Sequence, residues 1–152
     1  MTITKKESDW LRAVESMAEI FSTCSRRKYA AVILSPNGRI IGMGYNGSAP
    51  NSVHCEDGGC PRANTDVPHG STYDNCIAIH AEANAIIWSD QAMRVGATLI
   101  VNGPPCYSCA KLIASSGIAK VVCKSDDAYA QFDDIMNYLN GLGIELKVEK
   151  NG

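Results

Sequence analysis

The sequence predicts an α/β domain in which a mixed sheet of about five strands carries helices on both faces, giving three layers. Two observations indicate this architecture: helical and β-rich segments alternate through the second half of the chain, and a β-hairpin precedes them. With 152 residues, 45% of them hydrophobic, the chain has the size of one domain with one core. We therefore expect a single domain over residues 1–152.

The first half of the chain reads as a helix, a hairpin and a long insert. Ser8 can cap a helix whose apolar residues recur at three- and four-residue intervals as far as Phe21. Residues 30–34 and 39–45 are β-rich and flank Ser35-Pro36-Asn37-Gly38, a strong turn sequence. Residues 46–77 are rich in Gly, Pro, Asn and Ser, and so long a loop in a compact domain needs something to organise it, for which a metal is a candidate.

The second half of the chain alternates helices with apolar strands. Gly117 and Gly141 are placed to end two of the helices. Helices are predicted at 79–89, 106–116 and about 129–140, and strands at 97–102, 118–123 and 144–148. This order favours a partly parallel sheet covered by helices.

Charge and composition exclude several classes of function. Lys and Arg number 14 against 16 Asp and Glu, a net charge of −2, whereas proteins that bind polynucleotides usually carry a basic excess. No stretch of about 18 apolar residues indicates a membrane span. The seven cysteines, without a signal peptide, suggest reduced thiols in a cytoplasm that bind metal, and Cys123 ends an apolar run as a buried core thiol.

The chemistry-bearing motif combines His80-Ala81-Glu82 with Pro105-Cys106-Tyr107-Ser108-Cys109. One histidine and two cysteines can give Zn²⁺ three protein ligands and leave a fourth position for water, which is the arrangement of a catalytic site. Glu82 lies close enough to act as general acid and base without ligating the metal. A closed structural site or two reduced core cysteines is the alternative, but H-x-E with P-C-x-x-C is typical of zinc-dependent nucleobase deaminases.

Beyond this motif, the chain resembles the deoxycytidylate (dCMP) deaminases of the cytidine deaminase superfamily over most of its length. The Gly-Tyr-Asn-Gly block followed by Pro50 distinguishes this family from nucleoside and tRNA deaminases. The resemblance is carried by Cys24-Ser25-Arg26-Arg27, Gly44-Tyr45-Asn46-Gly47, His54-Cys55, His80-Ala81-Glu82-Ala83-Asn84-Ala85-Ile86, Pro105-Cys106-Tyr107-Ser108-Cys109-Ala110-Lys111 and Gly117-Ile118.

The resemblance implies a cytidine-deaminase-like fold and the zinc-dependent hydrolysis of dCMP to dUMP and ammonia, a supply step for thymidylate synthesis. It also implies that the chain assembles into a homo-oligomer, a hexamer. It further implies that the enzyme is activated by dCTP and inhibited by dTTP, with Mg²⁺ bound to the nucleotide effector. The expected location is the cytoplasm, or the host-cell cytoplasm if the source is viral. No polynucleotide and no membrane is expected as a partner.

Resemblance also suggests residues that bind the nucleotides. The substrate-binding set is Ser25, Arg26, Asn46, Tyr107 and Tyr129, with Arg26 as the best candidate for the phosphate because a guanidinium offers bidentate geometry. On the residues alone, an ordinary turn asparagine and a solvated helix end are the better interpretations of Asn46 and of the Arg26-Arg27-Lys28 cluster, and core positions are an equally good interpretation of the two tyrosines.

A regulatory set is suggested by the same resemblance. Its members are Arg27, Lys28, Gly44, Tyr45 and Gly47. The chain departs from the family where Tyr29-Ala30-Ala31 stands in place of the common Val-Gly-Ala, which replaces a glycine near the pocket and affects the approach of the backbone to a nucleotide.

A second, structural zinc is implied by relatives that carry one. Cys24, Cys55, Cys60 and Cys76 match the positions of such ligands, and His69 is the reserve ligand. Four cysteines would make a closed tetrahedral site tying the first helix to the long insert. The alternative is free thiols in a loop, since four residues between Cys55 and Cys60 is a loose spacing.

Two other functions remain open from the sequence. A nucleoside or tRNA deaminase would share the zinc core, but the first does not need the basic Arg26-Arg27-Lys28 cluster and the second would favour a basic surface. A zinc-stabilised binding module that has lost catalysis would have no use for the free carboxylate of Glu82.

Overall fold

The structure is a computed structural model that describes residues 2–61 and 76–150. Its centre is one five-stranded sheet with the order β2-β1-β3-β4-β5. The strands are β1 Ala30–Leu34, β2 Ile40–Tyr45, β3 Thr98–Val101, β4 Lys120–Lys124 and β5 Glu145–Glu149. β1 runs antiparallel to β2 and β3, whereas β3, β4 and β5 are parallel to one another. The predicted mixed sheet is confirmed.

Helices cover both faces of this sheet, as the sequence predicts. They are α1 Lys5–Phe21, α2 Ala81–Ile87, α3 Gln91–Arg94, α4 Tyr107–Ser115 and α5 Phe132–Gly141, with a 3₁₀ turn at Cys55–Asp57. α1 lies on one face, where Leu11 and Val14 pack against Val32 and Val122. Residues of α2, α4 and α5 share the core cluster on the other face.

Strand alternation divides the core between these two faces. In β1, Val32 faces the α1 layer while Ile33 faces the opposite layer, and in β3 Ile100 and Leu99 divide in the same way. Because β1, β3 and β4 are buried on both faces, they read as continuous apolar runs in the sequence. Cys123 is fully buried in β4, as predicted.

The start of α1 differs from the prediction. Thr4, not Ser8, is the N-cap: its hydroxyl accepts a hydrogen bond from the backbone of Glu7, and the Glu7 side chain accepts one from the Thr4 backbone. This is a reciprocal capping box, with Thr and Glu three residues apart. Ser8 was the wrong choice because it lies one turn inside the helix, where its N–H donates to the Thr4 carbonyl.

Two of the helix ends depend on glycines with positive φ. α4 ends at Ser115 and Gly117 follows with φ 93°, which agrees with the predicted stop. α5 instead includes Gly141, and Gly143, with φ 80°, is the residue that leaves the helical conformation. The predicted stop at Gly141 is therefore two residues early.

One edge of the sheet gathers the chain segments that bear chemistry. The parallel strands β3 and β4 end there, and the antiparallel β1 begins there, so residues 25–29, 102–106 and 125–126 converge. Just after β2, which pairs with β1, Gly47 forms an isolated antiparallel bridge with Ile79. Ile79 is the residue immediately before His80. No helix in the described part of the chain has the length and apolar character needed to cross a bilayer.

Candidate metal centre and active site

Three side chains from separate parts of the chain form a metal-binding group. The sulfurs of Cys106 and Cys109 each lie 3.4 Å from Nδ1 of His80. Among the histidine, cysteine and carboxylate side chains of residues 2–61 and 76–150, these three have ligand atoms that all lie within 4.8 Å of one another. The predicted catalytic ligands are thus brought together.

The spacing of these atoms fits a tetrahedral zinc ion. With Zn–S of about 2.3 Å and Zn–N of about 2.0 Å, tetrahedral angles put sulfur and nitrogen roughly 3.5 Å apart. The observed separation is 3.4 Å for both cysteines. Two thiolates and one imidazole are also a donor set that zinc prefers, and three ligands leave one coordination position open.

The three ligands lie at or near the N-terminal ends of helices α2 and α4. His80 is the N-cap of α2, and Cys106 is the N-cap of α4. The bridge between Gly47 and Ile79, with N···O distances of 2.8 and 3.2 Å, fixes the backbone directly before His80. Backbone hydrogen bonds therefore hold the chain directly before His80, and the Cys106 carbonyl accepts from the Ala110 N–H at 2.8 Å.

Glu82 is the buried carboxylate of the site. It is only 5% exposed. Burial raises the pKa of Glu82 to about 7, while the neighbouring His80 and a hydrogen bond with Cys109 oppose that rise. A carboxylate with a pKa in this range can both accept and donate a proton at neutral pH.

The two cysteine thiols titrate as a pair. Hydrogen bonds from Cys109 and His80 lower the pKa of Cys106 to about 4, although burial acts in the opposite direction. The same contact with Cys106, together with burial, raises the pKa of Cys109. The hydrogen bond with Cys106 also raises the pKa of His80. One thiolate is thus already favoured beside the imidazole.

Close packing of β2 on α2 sets the position of Glu82. A Cβ on Gly44 would lie 2.4 Å from both the Ala81 carbonyl oxygen and the Ala85 nitrogen. In addition, the Asn84 side-chain amide donates to the Tyr45 carbonyl at 2.9 Å. Gly44 therefore has a packing function at the catalytic helix, and the sequence-based regulatory assignment does not account for it.

Asn46 is buried, and its side-chain amide forms hydrogen bonds with nearby residues of the same chain. Its Oδ1 accepts from the hydroxyl of Ser22 and from the Tyr29 N–H at 2.9 Å, and its Nδ2 donates to the Arg27 carbonyl at 2.8 Å. The second N–H of this amide donates no hydrogen bond within residues 2–61 and 76–150. Asn46 thus organises the segment 22–29, and Ser22 is a residue that sequence reasoning missed because a lone serine carries no motif.

The basic segment borders a cavity whose described lining includes none of His80, Glu82, Cys106 and Cys109. The cavity has a volume of about 290 Å³ and includes Gly103 and Pro104, which lead directly into the Cys106 loop. Arg27 is exposed and lines it, whereas the Lys28 ammonium is bonded to the Ser22 carbonyl at 2.9 Å. The full lining is Glu15, Arg27, Lys28, Tyr29, Asn102, Gly103, Pro104, Lys124, Ser125 and Asp126.

The remaining predicted substrate residues differ in exposure. Ser25 is exposed and Arg26 is half-buried. Tyr107 is 41% exposed, and its ring lies 5.4 Å from that of Tyr138. Tyr129 is buried, with its hydroxyl 3.4 Å from Gln131. Tyr107 is thus open to a ligand, while Tyr129 is part of the core cluster.

Of the four cysteines of the predicted second site, no three have sulfurs within 4.8 Å of one another in the described part of the chain. Cys55 forms a hydrogen bond with Cys60 and lies within electrostatic range of Cys24 and Cys76. Burial and these neighbouring thiols raise the pKa of Cys55 to about 11. The four sulfurs are more widely spaced than the His80 group, and His69 lies outside the described residues.

Comparison with known proteins supports the assignment of this centre. The family model for the cytidine and deoxycytidylate deaminase zinc-binding region matches residues 4–125. The deoxycytidylate deaminase of Mycobacterium phage D29 is 40% identical over 119 residues, which cover 75% of this chain and 91% of that protein. That of Enterobacteria phage T4 is 35% identical over 159 residues, covering 82% of this chain and 80% of that protein.

Other relatives are longer or more distant. The Schizosaccharomyces pombe deoxycytidylate deaminase is 34% identical, but the match covers 87% of this chain and only 40% of that protein. The crystal structure of dCMP deaminase from the cyanophage S-TIM5, in complex with dCMP and dUMP, superposes with a TM-score of 0.70. It is 23% identical and the match covers 98% of this chain and 100% of that one, which supports the cytidine-deaminase-like fold. The family model and the phage relatives show that this chain belongs to the cytidine and deoxycytidylate deaminases, whose zinc-binding region includes the His80, Cys106 and Cys109 centre.

Proposed function

We propose that the protein catalyses the zinc-dependent hydrolytic deamination of dCMP to dUMP and ammonia. The observation that carries the proposal is the buried carboxylate of Glu82 beside a three-ligand centre that leaves a coordination position open. Phage relatives at 35–40% identity bear the name deoxycytidylate deaminase, which supports dCMP over other cytosine compounds as the substrate.

The chain's own residues have distinct tasks in this reaction. Bound through His80, Cys106 and Cys109, a zinc ion would supply a Lewis acid and an activated water. Glu82 takes a proton from the attacking water as the water oxygen forms a bond with C4 of the pyrimidine. The Glu82 carboxyl delivers this proton to N3. It then takes the second proton of the original water from the new C4 hydroxyl and gives it to the exocyclic amine, the C4–N bond breaks, and ammonia leaves.

Loss of the aminopyrimidine absorbance of dCMP tests this function. Wild-type protein should deaminate dCMP, and Glu82→Gln should lower kcat by about 10³-fold while keeping its zinc. Glu19→Gln, an exposed change on α1, is the matched control and should be fully active. Zinc-loaded wild type that turns over no cytosine compound, or Glu82→Gln with full activity, would instead favour a binding module.

We propose that the 5′-phosphate binds at the segment formed by residues 25–28. Arg26 remains the first candidate, and Arg27 is the second because it lines the cavity that adjoins the Cys106 loop. Arg26→Ala should raise KM for dCMP about tenfold or more and leave the weak turnover of deoxycytidine unchanged, since only dCMP carries the phosphate. An equal effect on both substrates would contradict this assignment, and preference for deoxycytidine over dCMP would indicate a nucleoside deaminase.

The base and sugar are proposed to contact Asn46, Tyr107 and Tyr129. Asn46 has one amide N–H left for a ligand, and Tyr107 offers an exposed ring next to a metal ligand. Tyr129 is the weakest of the three because it is buried. Tyr107→Ala should raise KM, whereas an unchanged KM would remove this residue from the pocket.

We also propose a structural zinc at Cys24, Cys55, Cys60 and Cys76. The hydrogen bond between Cys55 and Cys60 supports the site, and a closed four-thiolate site would require the four sulfurs to lie closer around one ion than they do in the described structure. Metal analysis should give two zinc ions per chain, falling to one in Cys55→Ser with the Cys106 centre still loaded. One zinc per wild-type chain would contradict the second site.

Regulation by dCTP and dTTP with Mg²⁺ is proposed to act through Arg27, Lys28, Tyr45, Gly44 and Gly47. Arg27 offers an exposed guanidinium, and Tyr45, itself 38% exposed, stacks with Phe21 at 5.9 Å. dCTP with Mg²⁺ should lower KM for dCMP and dTTP should raise it, and Arg27→Ala should reduce both effects. Rates unaffected by either nucleotide would contradict regulation.

We propose that the chain forms a homo-oligomer, a hexamer, because large apolar side chains are exposed in and after α2. Ile87, Trp88, Met93 and Val95 are 64%, 73%, 52% and 68% exposed. Light scattering should give the mass of six chains, and Trp88→Glu should lower it. A monomeric wild type would contradict the proposal.

The proposed biological role is the supply of dUMP for thymidylate synthesis in a cytoplasm, including that of a host cell. None of the seven cysteines, all of them within the described residues, forms a disulfide, which suits a reducing compartment. Cell fractionation and measurement of the dUMP pool after loss of the gene test the two parts of this proposal.

A further inference from the structure

Arg94 is a buried cation whose hydrogen bonds go to backbone carbonyls and a hydroxyl. It is the last residue of α3 and is 9% exposed. Its Nε donates to the Ser116 carbonyl at 3.2 Å, and its Nη1 donates to the carbonyls of Ile86 at 2.9 Å and Ser89 at 2.7 Å and to the Ser89 hydroxyl at 3.0 Å. No carboxylate in the described part of the chain forms an ion pair with it.

The acceptors of these hydrogen bonds belong to the ends of two helices. Ile86 and Ser89 lie in and just after the last turn of α2, and Ser116 is the C-cap of α4. The last carbonyls of a helix lack partners within the helix and carry its negative partial charge. A planar guanidinium with several fixed donors suits them better than an ammonium, because it can bridge several carbonyls at once.

The same two helices carry the catalytic centre at their opposite ends. α2 begins after His80 and contains Glu82, and α4 begins after Cys106 and contains Cys109. The distance between the imidazole and the two sulfurs, 3.4 Å, therefore depends on the relative position of α2 and α4. α2 is short, with seven residues, so a shift at its last turn is readily transmitted to its first.

We propose that Arg94 is a positioning residue that binds the C-terminal ends of α2 and α4 together and thereby holds His80 and Glu82 in register with Cys106 and Cys109. This inference rests on the zinc centre of the proposed function but not on its substrate. In the described part of the chain, the hydrogen bonds of Arg94 go to Ser116, Ile86 and Ser89, and it acts on the metal ligands through the two helices.

The test is zinc affinity, measured by chelator competition without any nucleotide. Arg94→Met should weaken zinc binding by about tenfold, the lower end of the range for groups hydrogen-bonded directly to metal ligands, because Arg94 acts on the ligands only through the two helices. Arg94→Lys should recover part of this loss, since an ammonium can reach some of the carbonyls but cannot span all three. Substitution of Co²⁺ for zinc should show an altered d–d spectrum in Arg94→Met, which reports a change in ligand geometry.

Two controls separate positioning from a general loss of stability. Arg39→Met changes an exposed arginine and should leave zinc affinity and the Co²⁺ spectrum unchanged. Glu7→Gln weakens the packing of α1 on the opposite face of the sheet, so it should lower Tm without lowering zinc affinity.

The proposal is overturned if Arg94→Met binds zinc as tightly as wild type and gives the same Co²⁺ spectrum. If Arg94→Met does not fold, the same result with Arg94→Lys overturns it. It is also overturned if Glu7→Gln, at an equal loss of Tm, weakens zinc binding as much as the Arg94 variant. Because no step of this test uses dCMP, an incorrect substrate assignment would leave its outcome unaffected.

Discussion

Gly44 shows how the absence of one side chain positions a catalytic helix. Its place on β2 lets the strand approach α2 so closely that any Cβ would meet the backbone of Ala81 and Ala85 at 2.4 Å. Those backbone atoms cannot move independently, because Ala81 and Ala85 flank Glu82 within the same helix. Substitution here must therefore displace the Glu82 carboxylate or the strand.

Gly44→Ala should accordingly destabilise the fold by about 1–3 kcal/mol, the usual cost of overpacking a core, and should lower kcat as well. Urea denaturation and the dCMP assay measure the two effects. Gly141→Ala is the matched control: no atom lies within 4 Å of its added Cβ and the residue is helical, so it should stabilise by roughly 0.5–1 kcal/mol. Equal stabilities of wild type and Gly44→Ala would contradict this account of the packing.

Asn46 offers a second prediction at the residue scale. Asn46→Asp keeps an acceptor for Ser22 and Tyr29 but puts a carboxylate oxygen where Nδ2 donates to the Arg27 carbonyl. Two acceptors would then face each other in a buried place, so we expect a loss of about 1–3 kcal/mol and a raised KM for dCMP. Asn37→Asp, in the exposed hairpin turn, should change neither quantity. An Asn46→Asp variant of full stability would mean that this amide does not hold the segment 22–29.

At the scale of elements, the capping box of α1 gives a direct test of a helix boundary. Thr4→Ala removes the hydroxyl that accepts from the Glu7 N–H, and it should cost about 1 kcal/mol of unfolding free energy. Ser8→Ala, inside the helix, should be neutral or slightly stabilising because alanine has the higher helix propensity. The reverse order of the two variants in urea denaturation would restore Ser8 as the cap.

Most elements could be predicted from the sequence because local signals and tertiary packing agree in them. The hairpin turn Ser35-Pro36-Asn37-Gly38 and the apolar runs of β3 and β4 are such cases, and so is the stop at Gly117. α3 was not predicted, since four residues carry no periodicity. Its N-cap Asp90, whose side chain accepts from Ala92, was the available signal.

The candidate site divides in the same way. His80, Glu82, Cys106 and Cys109 stand in motifs whose spacing reflects their chemistry, so the sequence predicts them. Arg94 could not be predicted, because its hydrogen bonds go to backbone carbonyls on segments 5 to 22 residues away, and carbonyls leave no trace in a sequence. The packing role of Gly44 was missed for a similar reason, since the contact that requires glycine is with the backbone of α2.

At the scale of the whole molecule, Glu7 joins the first helix to the far side of the sheet. Its carboxylate lies 3.2 Å from the ammonium of Lys120, the first residue of β4, and 3.5 Å from that of Lys147, in the middle of β5. Burial by itself would raise the pKa of Glu7, but hydrogen bonds from Thr4 and the contact with Lys120 outweigh burial and hold the pKa below its ordinary value of 4.5.

A depressed pKa in the folded state makes stability depend on acid. The folded protein binds this proton less readily than the unfolded chain, so the stabilisation by Glu7 is fully present above its ordinary pKa of 4.5 and is lost as pH falls through the lower folded value. Glu7→Gln should therefore lose less stability than wild type between about pH 6 and pH 3 in urea denaturation. Glu19→Gln, an exposed change on the same helix, should follow the wild-type curve. Parallel curves for wild type and Glu7→Gln would mean that α1 is held to the sheet by its apolar face alone, without a contribution from this ion-pair cluster.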